Sequence, residues 1–236
     1  RLPARTLHRT WCRQHHQAGM TFAALQESAH ARHLNILGGF HPVPTDNAPP
    51  GCKTLLMIGP NEPAFWPAFT QSAQANDGKP DPIDRWSDRV LSDWAANLGA
   101  TALFPFGGPP FLPFYTWALK TGRIWSSPVQ FLVHDLAGLM VSFRGALALP
   151  NLVQLPASPQ QPCDTCVDQP CKSACPVGAL IPAGYDVPAC KVYLDTPAGA
   201  TCVTGGCQVR TACPISKTFG RVPAQSEYHL RQFKGG

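Results

Sequence analysis

The chemistry in this chain is concentrated in its cysteines. Of ten, eight fall between Cys163 and Cys213. Cys163, Cys166, Cys171 and Cys175 form a first group ahead of Pro176, and Cys190, Cys202, Cys207 and Cys213 form a second ahead of Pro214. Thiolates are soft ligands that suit iron, and ferredoxins space them as CxxCxxCxxxCP, so that three grip one cube while the fourth turns back to another. The first group here reads CxxCxxxxCxxxCP, widened between Cys166 and Cys171 with its opening CxxC and closing CxxxCP in register. These spacings predict two 4Fe-4S clusters and single-electron transfer.

Two other uses of paired cysteines compete. Zinc ribbons usually join two CxxC knuckles or add histidine, and no histidine lies between Cys163 and Cys213. Disulfide scaffolds belong to exported chains. Residues 1–19 lack the apolar core of a secretory signal. Cys12 and Cys52 stand outside the spacing and read as ordinary thiols. Between the ligands, Gly178, Gly205 and Gly206 should let backbone approach a cluster, and Pro176 and Pro214 should hold the preceding cysteines extended. Val177, Leu180 and Ile215 could then form an apolar wall.

The elements that position these thiols follow from composition and pattern. Hydrophobic residues make up 44% of 236, enough for a full core, while 26 prolines and only 14% charged residues predict a compact, loop-rich chain. The net charge of +5 is misleading, because Arg1, Arg5, Arg9 and Arg13 sit in an acid-free opening segment. The rest is nearly balanced, so nucleic acid is set aside as a partner. That segment, 1–19, reads as an unstructured leader or as upstream sequence read in frame. The apolar stretch Leu139 to Pro150 is interrupted by Ser142 and Arg144 and is too short to span a bilayer, so no membrane is expected and the chain is assigned to the cytoplasm.

From Thr21 the pattern predicts a helix carrying Phe22, Leu25 and Ala29, then strands over Leu34–Phe40 and Thr54–Gly59. Asp81 as N-cap and Pro82 open a helix with Trp86, Val90, Trp94 and Leu98 at helical spacing, ended by Gly99. A strand over Thr101–Phe106, a helix over Pro113–Thr121 and a strand pair formed by Val129–His134 with Leu139–Leu149 complete an α/β (α+β) domain over 20–150. Residues 151–162 read as a proline-rich linker, and 163–236 as the cysteine domain.

With these residues in view, the C-terminal part resembles the double-cluster domain of epoxyqueuosine reductases, whose pattern runs CxxCxxCxxxCPTGAI, a lone CxxYL, then CxxCxxxCP. CPVGAL at Cys175–Leu180, CKVYL at Cys190–Leu194 and CQVRTACP at Cys207–Pro214 stand in the same order. The resemblance implies Cys163, Cys166, Cys171 and Cys213 on one cluster, and Cys175, Cys190, Cys202 and Cys207 on the other. The first domain is similar to that family and to the cobalamin-processing protein of methylmalonic aciduria type C. GFHPVP at Gly39–Pro44, DPIDRWSDRV at Asp81–Val90 and GLMVSFRGALALP at Gly138–Pro150 carry the likeness. It implies a flavin-reductase-like domain followed by a small loop-rich ferredoxin-like domain, cobalamin as a further cofactor, and Arg144 as a cofactor-binding residue, because it falls on an arginine used near the thiol cosubstrate.

Where epoxyqueuosine reductases carry a catalytic aspartate, this chain has Gly107 and Gly108 in FPFGGPP. TGRIWSSPVQFLV at Thr121–Val133 keeps Gly122 and Trp125 of a family segment without its Lys and Asn. The resemblance therefore does not extend to reduction of a modified tRNA base, and no catalytic residue is assigned. The reading is a reductase joining two clusters to a cobalamin-type cofactor and served by a redox partner protein. The alternatives are a ferredoxin-type electron carrier and a cobalamin-binding chaperone. Elsewhere, the Gly107–Pro110 turn reads as a plain loop, His41 and His134 as satisfied core histidines, Asp135 as a turn residue, and Trp86, Trp94, Trp117 and Trp125 as core.

Overall fold

The structure is a computed structural model and describes residues 20–181 and 184–235; residues 1–19, expected to be a leader or upstream sequence and including Cys12, lie outside the described residues. Thr21 caps the first helix by accepting from Ala24 N–H, and α1 (Phe22–His30) leads into β1 (Leu34–Phe40). β2 (Thr54–Pro60), α2 (Phe65–Thr70), α3 (Ala73–Asn76) and α4 (Pro82–Leu98) follow. Gly99 ends α4 in the left-handed region as expected, but Asp81 itself has φ 51° and its side chain makes no capping bond. Next come β3 (Thr101–Leu103), α5 (Phe114–Lys120), β4 (Ile124–Ser126), β5 (Leu132–His134) and β6 (Gly145–Leu149).

The main sheet is antiparallel throughout, in the order β1-β2-β6-β3. With 43% helix and 15% strand the chain is a mixed α+β protein. Every residue of β2 and β6 is buried, because both faces of the sheet are covered. Leu56, Ile58, Leu147 and Leu149 point to one core with Trp86 and Trp94 of α4 and Phe65 of α2; Leu55, Met57 and Ala146 point to another with Trp117 of α5. Two cores on opposite faces explain why these strands read as continuous apolar runs without alternation.

One strand pair departs from expectation. β5 pairs with β4, Ile124 opposite His134, whereas β6 pairs with β2 and β3. The turn that begins at Asp135 closes on a bridge from His134 to Gly138 and sends the chain away before β6 begins. The β4–β5 hairpin leaves the main sheet, and its Val129 and Val133 pack with Leu139, Cys171 and Cys213.

The proline-rich stretch is irregular, yet it is not free. Thr54 Oγ1 donates to Asn151 C=O and accepts from Val153 N–H, both at 2.9 Å, and Val153 is buried. After it come the short pair β7 (Leu180–Ile181) and β8 (Gly184–Tyr185), then α6 (Val187–Leu194), α7 (Ala200–Gly205), α8 (Gln208–Ala212), α9 (Pro214–Thr218) and α10 (Pro223–Gly235). This cysteine-bearing part packs on the first. Leu139 N–H donates to Ser216 Oγ at 2.9 Å, Arg221 donates to Met140 C=O at 2.9 Å, and Tyr228 of α10 packs against Trp66 and Phe69. No helix among the described residues is long and apolar enough to cross a membrane.

Candidate metal centre

Short helical turns present the thiols. Cys163 lies in the 3-10 turn Pro162–Asp164, Cys171 in the turn Pro170–Lys172, and Cys213 caps α9 in extended backbone ahead of Pro214. With Cys166 these four line one cavity of about 520 Å³, to which Val133 and Leu139 from the first part of the chain also contribute. The other four sit on different elements: Cys175 before β7, Cys190 in α6, Cys202 in α7 and Cys207 capping α8.

Electrostatics divides the thiols the same way. Burial pushes Cys163 up to about 11, and the neighbouring Cys171, Cys213 and Cys166 push it further in the same direction. Burial also raises Cys171, with Cys213 and Cys166 adding to it. Cys190 is raised by burial, lowered in part by a hydrogen bond from Tyr185, and raised again by Cys207 and Cys175. Cys202 is raised by burial, eased by Gln208, and raised by Cys207 and Cys190. The thiols that raise Cys163 and Cys171 thus come from 166, 171 and 213, and those that raise Cys190 and Cys202 come from 175, 190 and 207. A metal core inverts this balance, because its positive charge favours the thiolates that burial and mutual repulsion disfavour.

The donor set can be tested against what it would hold. All nine described cysteines are free thiols. Among the described residues no three His, Cys, Asp or Glu side chains close around a point as a single ion requires. The four thiols of the first set line a cavity of about 520 Å³, wide enough for a group larger than one ion. Donors to sulfur are already in place: Ala179 N–H reaches Cys175 Sγ at 3.3 Å, Gln208 bonds to Cys202 and Tyr185 to Cys190. Leu180 and Ile215 pack around the thiols as expected, whereas Val177 is exposed and forms no wall. Gly178 and Gly206 take positive φ and Gly205 does not; it ends α7 with open space beside it.

The remaining candidates divide clearly. His134 is buried, its Nε2 donating to Leu37 C=O at 2.9 Å while Nδ1 accepts from Leu136 and Ala137 N–H, so the neutral tautomer is satisfied at both nitrogens. Burial holds it down to about 4, against an ordinary 6.5. Between those values the unfolded chain carries the extra proton, so His134 makes stability fall as pH drops from about 6.5 towards 4, by up to about 3 kcal/mol. Denaturation of wild type and His134→Gln at pH 7 and 5 checks this: the wild type should lose more stability than the variant. Equal losses would refute it. His41 is not a core histidine: it is exposed, with its ring tied to Val153 C=O at 3.0 Å; Trp86, Trp94 and Trp117 are core, whereas Trp125 is only half-buried because its hairpin leaves the main sheet. Asp135 both starts its turn and pairs with Arg123 at 2.6 Å. Cys52 stands apart, its thiol donating to Thr54 C=O.

Arg144 lies just before β6, 3.7 Å from Asp84, and lines a second cavity of about 250 Å³ that Cys207 also lines. That volume is below the usual range for small-molecule sites, and a corrin macrocycle exceeds it. The residues around Arg144, as placed, do not fit cobalamin. Sequence reasoning missed Arg210, Arg221, Glu62 and Gly138 around these cavities, for each stands outside any ligand spacing; only the positive-φ turn at Gly138 carries a local signal. Comparison with protein-family models, with curated proteins and with solved structures finds no match, so the functional reading rests on the arrangement of the thiols.

Proposed function

We propose that the chain carries two 4Fe-4S clusters and uses them to pass single electrons, one cluster on Cys163, Cys166, Cys171 and Cys213 and the other on Cys175, Cys190, Cys202 and Cys207. The observation that carries the reading is geometric: Cys163, Cys166, Cys171 and Cys213 line one cavity, and the other four thiols of the cysteine-bearing part lie outside it. When bound, each cluster supplies a one-electron couple whose potential follows hydrogen bonding to sulfur and exclusion of water. Here Ala179, Gln208 and Tyr185 supply hydrogen bonds, and Leu139, Val209 and Ile215 exclude water. In this proposal the cysteine part is a ferredoxin-like domain in the reducing cytoplasm, served by a redox partner protein, and the first part is a flavin-reductase-like domain that meets the acceptor.

Anaerobic reconstitution should yield about eight irons and eight acid-labile sulfides per chain, with a visible absorption band bleached by dithionite. Stoichiometric zinc without that band would overturn the proposal. Cobalamin, the acceptor implied by resemblance, is tested on the same preparation. Saturable binding would support a reductase acting with a corrinoid held away from the Arg144 cavity or after that cavity opens. Clusters without cobalamin binding would leave a ferredoxin-type electron carrier.

A further inference from the structure

The second cavity brings together three guanidinium groups from separate segments: Arg144 before β6, Arg210 in α8 and Arg221 before α10. Like charges are not gathered in a buried place without something to answer them. The acids at hand are two. Glu62 is fully buried with its Oε1 2.8 Å from Arg221 Nε, and Asp84 stands 3.7 Å from Arg144. Glu62 is taken up by Arg221 and by Gln225, whereas Arg144 Nη1 is buried without a hydrogen-bond partner and Asp84 stands too far to supply one. Arg210 has no carboxylate partner among the described residues; it donates to Leu139 C=O and lies over the Phe131 ring at 4.5 Å.

His229 faces the same space. Burial and the three guanidiniums, Arg144 first, hold its imidazole down to about 3, so it contributes a neutral ring. Aromatic walls complete the cavity: Phe131 meets Tyr185 edge to face at 5.6 Å, and Tyr185 stacks with Phe233 at 6.1 Å. Guanidinium groups with spare donors beside aromatic faces recognise an oxyanion attached to a small apolar body. The volume of about 250 Å³ limits that body to a few atoms beyond the anionic group.

We propose that this cavity is a binding site for a small organic molecule bearing a phosphate or carboxylate, held by Arg144, Arg210 and Arg221 beside Cys207. It deepens the electron-transfer reading by naming the class of molecule that would lie next to the second cluster, and rests on that reading only for this redox role. The binding itself depends on the guanidiniums alone.

The test is calorimetric titration of the full reconstituted chain with inorganic phosphate, pyrophosphate and succinate, with iron content measured on every sample. At least one probe should bind saturably at one per chain, and preference between the phosphates and succinate identifies the anion class. Arg210→Gln should weaken that binding about tenfold or more, with Arg210→Lys recovering part of it, while Arg89→Gln, a charge removed elsewhere, should leave it unchanged. If no probe binds below about 10 mM, or if Arg210→Gln and Arg89→Gln bind as wild type does, the site is refuted. Anion binding in a chain that holds no iron would keep this inference and sink the electron-transfer reading; two full clusters without anion binding would do the reverse.

Discussion

Replacing Cys175 with Ala should abolish the same cluster signal as replacing Cys207, while replacing Cys213 should abolish the signal lost with Cys163. In two-cluster ferredoxins the fourth cysteine of a run ligates the other cube, and the resemblance implies the same crossing here. Cys213 accordingly lines the cavity with Cys163, Cys166 and Cys171, and Cys175 is among the neighbours of Cys190. Each variant should lose about half of the eight irons, and the paramagnetic spectrum of the reduced protein should lose one component with the other kept. Cys52→Ala is the control and should keep both. The crossed arrangement fails if Cys175→Ala and Cys163→Ala remove the same component. Crossing also ties the two loops into one unit, so metal binding and folding of residues 163–213 should be coupled, and neither half should fold alone.

Gly138→Ala should be among the most damaging single changes in the first part of the chain. Gly138 has φ +55°, and a Cβ there would stand 2.5 Å from Ser216 N, 2.6 Å from Ser216 Oγ and 3.1 Å from Cys213 Sγ. The obstacle is backbone together with a candidate ligand, so it cannot swing aside as a long side chain could. Left-handed backbone costs an alanine about 1 kcal/mol, and overpacking adds about 1–3 kcal/mol, so a loss of roughly 3 kcal/mol is expected. Because the displaced segment carries Cys213, the cluster on Cys163, Cys166 and Cys171 should be lost or sharply depleted. Gly178→Ala separates the two causes, since Gly178 has φ +59° with open space around it and should lose only about 1 kcal/mol. Denaturation together with iron analysis reads both variants. Should Gly138→Ala keep full iron and match Gly178→Ala in stability, this contact does not hold the two parts together.

Much of this protein was legible along the chain, and the legible part is local. Helix α1 from its Thr21 cap, α4 with its Gly99 stop, and strands β1 and β2 follow from patterns a few residues long, because capping, periodicity and turn chemistry act over one or two turns. The thiol groups are local in the same sense: CxxC and Cys-Pro spacings place ligands on tight turns wherever the rest of the chain goes. Strand partners are not local. Leu139–Leu149 is apolar enough to pair with Val129–His134, yet β6 joins β2, where both of its faces are buried, and β5 is left to the hairpin with β4. Nothing in the composition of either segment distinguishes the two pairings; burial on two sides does.

The candidate sites divide along the same line. Residue type and spacing alone marked the eight cysteines and the chemistry they suit, since thiolate softness belongs to the side chain itself. Tertiary structure alone decided that Arg144, Arg210 and Arg221, far apart in sequence, line one cavity, that Glu62 is buried beside them, and that Gly138 meets Cys213. A single arginine in a sequence is a solvated surface charge until folding shows otherwise. Three of them become a site only when packing removes their water and leaves donors without partners, and that is a property of contacts across the whole chain.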